Sequence, residues 1–302
     1  MKKVIPLLII LAAASLIVFS QGNDLPEGLF AMAQTERAFA KLSVEKGVRE
    51  AFTTYFADDG VNFQPHPVIT KEAFAKQPAP AGPPQIALNW APTYGGVARS
   101  ADLGFSTGPY VVEDRSGKNR PPAHGMFFSL WKKQSAGDWR VVVDMGVRLE
   151  NAFSPLDAGF RSAPEWKSKA SGETVDLEAE RGALLKTDQA FFDLAKSGKA
   201  SNAWRKFLSE DARVYRQLTS PVVDKTALQN WIARQDGALA GKPIKSDVSN
   251  AADLGYCYGS FELKRGEGAI EKGYYTRVWR RDEKGDWRIV FDVNNPLPAD
   301  EK

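Results

Sequence analysis

The chain has almost no cysteine and almost no histidine. Cys257 stands alone among 302 residues, so no disulfide forms within the chain and stability must come from packed cores. Its place in the alternating stretch "GYCYGSF" marks it as a small buried residue, since a nucleophilic thiol would want a histidine or helix terminus beside it. The only histidines, His66 and His124, lack the spacing of a zinc site. Also missing are a Gly-rich phosphate loop, a serine nucleophile elbow and a dinucleotide fingerprint, so no cofactor is expected. Charge of neither sign is blocked: 40 Lys and Arg interleave with 37 Asp and Glu. That excludes the electrostatic footprint of a nucleic-acid or anionic-lipid binder.

One long apolar run is present, and it lies at the very start. Lys2 and Lys3 precede an uncharged stretch from Val4 to Phe19, followed by small and polar residues. This is the layout of a secretory signal peptide over residues 1–22, with cleavage after Ser20 or Gly22. The run falls short of the roughly 20 residues of a membrane span and contains Pro6. An uncleaved anchor is the lesser reading. An Ala-x-Ala triplet at Ala31–Ala33 sits far from the run inside an amphipathic pattern, and no cysteine follows the run to carry a lipid. The expected mature protein is exported, periplasmic or extracellular, without a stable membrane span. Its formal charge drops from +3 to +1 with the leader.

What the sequence does contain is itself, twice. "ADLGFSTGPY" at 101–110 returns as "ADLGYCYGSF" at 252–261. Leu25, Met32, Phe39 and Leu42 recur 152 positions later as Leu177, Leu184, Phe191 and Leu194, spaced to form one stripe on a helix. A second helix places Phe52 and Phe56 where the later copy has Trp204 and Leu208. Each copy then turns to period two. "GMFFSLWKKQSAGDWRVVVDMG" at 125–146 matches "GYYTRVWRRDEKGDWRIVFDVN" at 273–294, two long strands joined by a tight turn. The expected organisation is residues 23–150 as one domain, 151–175 as a connector with Phe153, Phe160 and Trp166 packing on a domain, and 176–298 as the second domain. Helices followed by a strand meander predict an α+β fold: two tandem domains, each with N-terminal helices packed on a curved antiparallel sheet.

The helix pair, the "ADLGFSTGPY" turn and the "FFSLWKKQSAGDWRVVVDMG" hairpin resemble the SnoaL-like branch of the nuclear transport factor 2 superfamily, in particular its exported groups of unassigned function. The resemblance covers both copies. It implies two tandem cone-shaped domains, each with an apolar pocket enclosed between helices and sheet, and pairing through sheet faces that a tandem could satisfy within one chain, giving a monomer. Relatives on this fold include isomerases, dehydratases, cyclases and plain binding domains, so fold alone decides no chemistry. The acid/base residues of ketosteroid isomerase and scytalone dehydratase are not carried over onto this chain.

Several residues are candidates. Along the last strand, Trp139, Val141, Val143 and Met145 alternate with Asp144, as Trp287, Ile289, Phe291 and Val293 do with Asp292. Period two assigns the apolar set to the core and turns both acids away from it, toward a cross-strand partner such as Lys132 or Arg280. Asp144 then reaches a pocket only at its rim. Asp102 and Asp253 stand at the turn before a strand, where a carboxylate can cap backbone NH groups. Glu36 and Asp188 fall on the inward stripe of the first helix. An acid there is either a satisfied scaffold group or an acid/base group with a raised pKa. His124 shares a strand face with Met126, Phe128 and Leu130, and is expected to lean inward. His66 sits in a Pro-flanked loop at the expected pocket mouth. The opposite strand face carries Arg277 and Arg281 and reads as solvent-facing.

Aromatic residues argue for a cavity. Tyr55, Trp90, Tyr94, Phe105 and Phe128 are candidates to line the first pocket, and Tyr215, Tyr256, Tyr258 and Tyr274 the second, against the plain alternative of core packing. Two functions follow. One is an exported tandem protein that binds a small, largely apolar molecule in a cone pocket. The alternative is a cofactor-free acid/base isomerase, dehydratase or cyclase acting through the first domain, with His124 or His66 working beside Glu36 or Asp144.

Overall fold

The computed structural model describes residues 25–78, 80–164, 175–197, 199–268 and 270–298. The expected leader and Trp166 lie outside these residues. In the first unit, helices α1 (Glu27–Lys46) and α2 (Val48–Tyr55) lead into β1 (Phe56–Phe63), β2 (Pro67–Ile69), α3 (Thr70–Ala75), β3 (Ile86–Trp90) and β4 (Tyr94–Val97). The long strands β5 (Leu103–Asp114) and β6 (Ala123–Lys133) follow, then β7 (Trp139–Asp144), β8 (Val147–Leu149) and, from the connector, β9 (Arg161–Ser162). The second unit runs α4 (Leu177–Ala195), α5 (Ala200–Phe207), β10 (Leu208–Tyr215), α6 (Lys225–Ala233), β11 (Ala238–Val248), β12 (Leu254–Lys264), β13 (Glu271–Arg281) and β14 (Trp287–Pro296). Among the described residues no helix is long and apolar enough to cross a membrane.

The repeated helical stripe buries Met32, Glu36 and Phe39 from α1, and Leu184, Asp188 and Phe191 from α4. Phe39 is the hub of the first helix-side core, with ring centroids 4.7 Å from Trp90 and 5.0 Å from Phe52. Phe191 holds the same place in the second, 4.5 Å from Trp204. Edge-to-face pairs like these add about 0.5–1.5 kcal/mol each beyond burial.

Each sheet is an antiparallel meander with a parallel strand beside its last long strand, and the first also takes β9 parallel to β4. The second has the order β10-β14-β13-β12-β11, and in the first β1 lies beside β7. β1 runs parallel to β7 and β10 parallel to β14. Parallel neighbours need a long connection, which the rest of each unit supplies. The sheets are therefore mixed, where the sequence suggested antiparallel pairing alone.

Both faces of each sheet are covered. Helices cover one, and the two sheets meet through the other, where Phe128 and Phe291 stack at 4.4 Å and Tyr215 meets Phe291 at 4.8 Å. This second core takes in Val143, Met145, Leu254, Tyr256 and Val293 from both units. In the connector, Phe160 packs against the first helix-side core, while Phe153 is exposed.

The period-two reading of the last strands fails at one residue in each copy. Leu130 pairs with Val143 and Trp131 with Val141, so Val142 is an extra residue; Val278 pairs with Phe291 and Trp279 with Ile289, which makes Val290 its counterpart. Such a bulge reverses which face the following residues occupy. Trp139 and Val141 stay under the helices while Val143 and Met145 turn to the other unit. Asp144 and Asp292 are thereby swung to the helix side. Their expected cation partners are engaged elsewhere: Lys132 with Asp247, and Arg280 with Asp211 at 3.1 Å.

Candidate functional site

On its helix side the first sheet leaves a pocket of about 270 Å³. Phe39, Phe52, Leu88, Trp90, Tyr110, Val112 and Phe127 form its walls, and Asp144 and Gly146 border it from the last strand. The Tyr110 ring lies directly over Gly125, where a Cβ would sit 2.3 Å from ring carbons. Only glycine permits that approach, and Phe261 leans over Gly273 in the second unit in the same way.

Beneath the pocket lies a line of polar groups. The Ser129 hydroxyl donates to Asp144 Oδ2 at 2.8 Å. Glu36, fully buried, accepts from Trp90 Nε1 at 2.6 Å, from Ser106 Oγ at 2.5 Å and from Trp131 Nε1 at 2.8 Å. Burial pushes the Glu36 carboxyl above its usual range, and these hydroxyl and indole donors hold it back. Burial also drives Asp144 from an ordinary value of 3.8 to about 7, against the pull of Ser129 and with added push from Glu36. Asp144 therefore carries an exchangeable proton near neutral pH inside an apolar cavity. Tyr110, on the same wall, is raised by burial, with Arg148 and Asp144 acting on it in opposite directions.

The second unit has the same positions with different chemistry. Asp188 replaces Glu36, and Arg277 stands where Ser129 is. The Arg277 guanidinium reaches Asp292 Oδ2 at 2.6 Å and Asp188 Oδ1 at 3.1 Å, its carbon 3.9 Å from the centre of the Phe191 ring. Arg216 Nη2 adds a 2.5 Å contact to Asp292 Oδ1. Two acids thus meet two guanidinium groups, a balanced buried quartet. Burial still raises Asp188, and Arg277 offsets it. Arg277 is almost wholly buried, so the strand face taken as solvent-facing is the one under the helices.

Of the sequence candidates, the structure brings together Glu36, Asp144 and Trp90. Tyr55 packs on Phe39 at 5.1 Å outside the cavity lining. Tyr94, Phe105, Phe128, Tyr215, Tyr256 and Tyr258 belong to the core between the sheets, with Tyr274 packed against it. The Arg213 guanidinium lies 3.5 Å over the Tyr94 ring there. His124 is on that same sheet face, paired with Val111 and Leu149, away from the helix-side pocket. His66 Nδ1 lies 2.8 Å from the Tyr274 hydroxyl, bridging the units. Cys257 is buried, and burial raises its thiol well above the usual range.

Ser129, Tyr110 and Phe127 were not singled out from the sequence. Aligning the copies carried a signal for one of them: where Glu36 and Asp144 have acid counterparts, Ser129 has an arginine.

No family model matches the chain, and no curated protein does. Solved structures do. An NTF-2 like protein of unknown function from Shewanella oneidensis is 14% identical over 39% of this chain and 97% of its own, with a TM-score of 0.29. A second NTF2-like protein of unknown function, from Pseudomonas putida, is 13% identical over 44% of this chain and 94% of its own, at 0.32. A ketosteroid isomerase-like protein from Erwinia carotovora atroseptica is 15% identical over 43% of this chain and 99% of its own, at 0.31. These are likenesses of fold. Each sets nearly all of a shorter protein against less than half of this chain.

Proposed function

We propose that the first unit binds a small, largely apolar molecule in its helix-side pocket and moves a proton on it, with Asp144 as general acid and base. The observation that carries this reading is a single carboxyl group, titrating at about 7, that borders an aromatic cavity. A group with such a pKa is half ionised at neutral pH and can both take and return a proton. Tyr110 supplies a hydroxyl on the same wall, suited to donating to an oxygen that gains charge as the proton leaves carbon. Isomerisation or dehydration next to a carbonyl fits that pair of groups. Burial does most to raise Asp144, and Glu36 behind it adds to that push. At about 270 Å³ the cavity lies just under the range of roughly 300–1,000 Å³ usual for drug-sized ligands, so its occupant is smaller.

The test is solvent deuterium exchange into the α-carbon positions of small cyclic ketones, followed by NMR with the wild-type chain and Asp144→Asn. Exchange above the buffer rate that Asp144→Asn abolishes supports the reading. Equal rates in both proteins would sink it. Plain binding is the second reading, favoured by the position of both histidines outside the pocket lining. It predicts saturable ligand uptake in both proteins without exchange.

The setting we propose is outside the cytoplasm, on the strength of the basic and apolar N-terminal stretch. N-terminal mass spectrometry of the protein from its native host would find a mature start after Ser20 or Gly22. An intact Met1 in a soluble cytoplasmic fraction would refute export.

A further inference from the structure

The second unit has a pocket of its own, about 530 Å³ in volume, whose lining has a different chemistry from the first. Its apolar side includes Trp204 and Trp231, with rings 5.0 Å apart and edge to face, beside Leu239 and Phe261. Arg216 lies at its polar side, the guanidinium carbon 5.1 Å from the Trp231 centroid, held there by Asp292. Within the buried quartet the charges cancel. At the mouth they do not: Arg234 and Arg265 are both exposed lining residues, and the one acid among the lining there, Glu271, lies 3.8 Å from Arg265. The excess is therefore cationic.

One more group is left open. Asn294 lines the cavity, and its side-chain oxygen is buried without a hydrogen-bond partner. A buried acceptor in that state carries an unmet desolvation penalty unless something donates to it. In the first unit the equivalent position is Gly146, which presents no such group.

We propose that this second pocket binds a small amphipathic organic anion. Its carboxylate sits at the mouth with Arg234 and Arg265, its flat apolar body lies against Trp204 and Trp231, and a hydroxyl on it donates to Asn294. Guanidinium groups suit a carboxylate because their planar donors match its two oxygens. Indole faces suit a planar body. The two units then divide the work, one pocket taking a largely apolar molecule and the other an anion.

Isothermal titration of the wild-type chain tests this with 3-(4-hydroxyphenyl)propanoate as probe and 3-(4-hydroxyphenyl)propanamide as its uncharged counterpart. The expected result is saturable binding of the carboxylate, tighter than the amide by about tenfold or more. The double variant Arg234→Gln/Arg265→Gln, altered only at exposed side chains, is expected to lose that preference while keeping its thermal unfolding. It is also expected to leave exchange at the first pocket unchanged, so the two proposals fail separately. Equal affinity for acid and amide, an undiminished preference in the double variant, or no saturable binding up to about 10 mM would each overturn the proposal.

Discussion

Asp102 and Asp253, equivalent residues of the two copies, each accept a backbone NH from the other copy's turn. The Asn250 NH donates to Asp102 at 3.1 Å, and the Arg99 NH donates to Asp253 at 3.1 Å. Asn250 and Arg99 are themselves equivalent, so the contact is reciprocal, as across a two-fold axis. Symmetry ends at the side chains. Arg99 Nε also reaches Asp253 at 3.0 Å, and Ser249 Oγ donates to it at 2.9 Å.

Asp253→Ala is accordingly expected to cost about 1–3 kcal/mol, since the Arg99 NH and guanidinium and the Ser249 hydroxyl each lose this acceptor. Arg99→Ala should cost less. In a double-mutant cycle followed by urea unfolding the two changes should be less than additive, with coupling of about 0.5 kcal/mol or more. Strict additivity would mean that the pair does not interact in solution.

Asp144 is expected to make the protein less stable as pH rises. Its folded pKa of about 7 stands above the unfolded value of 3.8. Below the unfolded value both states are protonated and nothing is lost. Between about 4 and 7 only the folded state holds the proton, so stability falls with rising pH and levels off above 7, by on the order of 4 kcal/mol at most. Asp144→Asn should remove that slope, matching wild type at pH 4 and exceeding it at pH 8 in denaturant melts. Parallel pH curves for the two proteins would contradict the shift.

Arg277→Met should be among the most damaging single changes in the second unit. It leaves Asp188 and Asp292 buried without the cation that bridges them, a loss of about 3–5 kcal/mol at neutral pH. The deficit should shrink in acid as those carboxyls take protons. A constant deficit across pH would assign the damage to packing alone.

Phe291→Ala opens a void where Phe128 and Tyr215 meet it, at a cost of about 3–5 kcal/mol. Because that void lies between the units, calorimetry should show one transition moving as a whole, with no lone unit melting early. With the sheet faces turned on each other, light scattering should find a monomer of the mature chain. A stable dimer would mean that a further surface pairs.

Much of this fold is legible in the sequence because repetition is self-checking. Leu25 to Leu42 and Leu177 to Leu194 repeat one helical stripe, and a pattern shared by two copies survives where a single copy would be ambiguous. The acid on that stripe was visible too, as was the turn that holds Asp102 and Asp253. Face assignment on the strands was another matter. Both faces of each sheet are buried, so alternation of apolar and polar residues no longer separates core from solvent. Phe105, Phe128 and Tyr256 therefore read as pocket walls, yet they join the units. Phe127 and Arg277 lie on the face that looked open to water.

The sequence by itself determined two copies of an α+β unit, the inward acid of each first helix and the near absence of thiol and imidazole chemistry. Only the tertiary structure decided where Asp144 points. One extra residue at Val142 reverses the parity of the strand, and nothing in the alternation "WRVVVD" marks which valine is the extra one. A strand's period is local, while a bulge is set by its register against a neighbouring strand. The same holds for the charge balance around the two sites. Ser129 and Arg277 acquire their meaning once helix and sheet bring each of them against an acid distant in sequence, leaving one carboxyl free to titrate near neutrality and tying its counterpart into a neutral cluster.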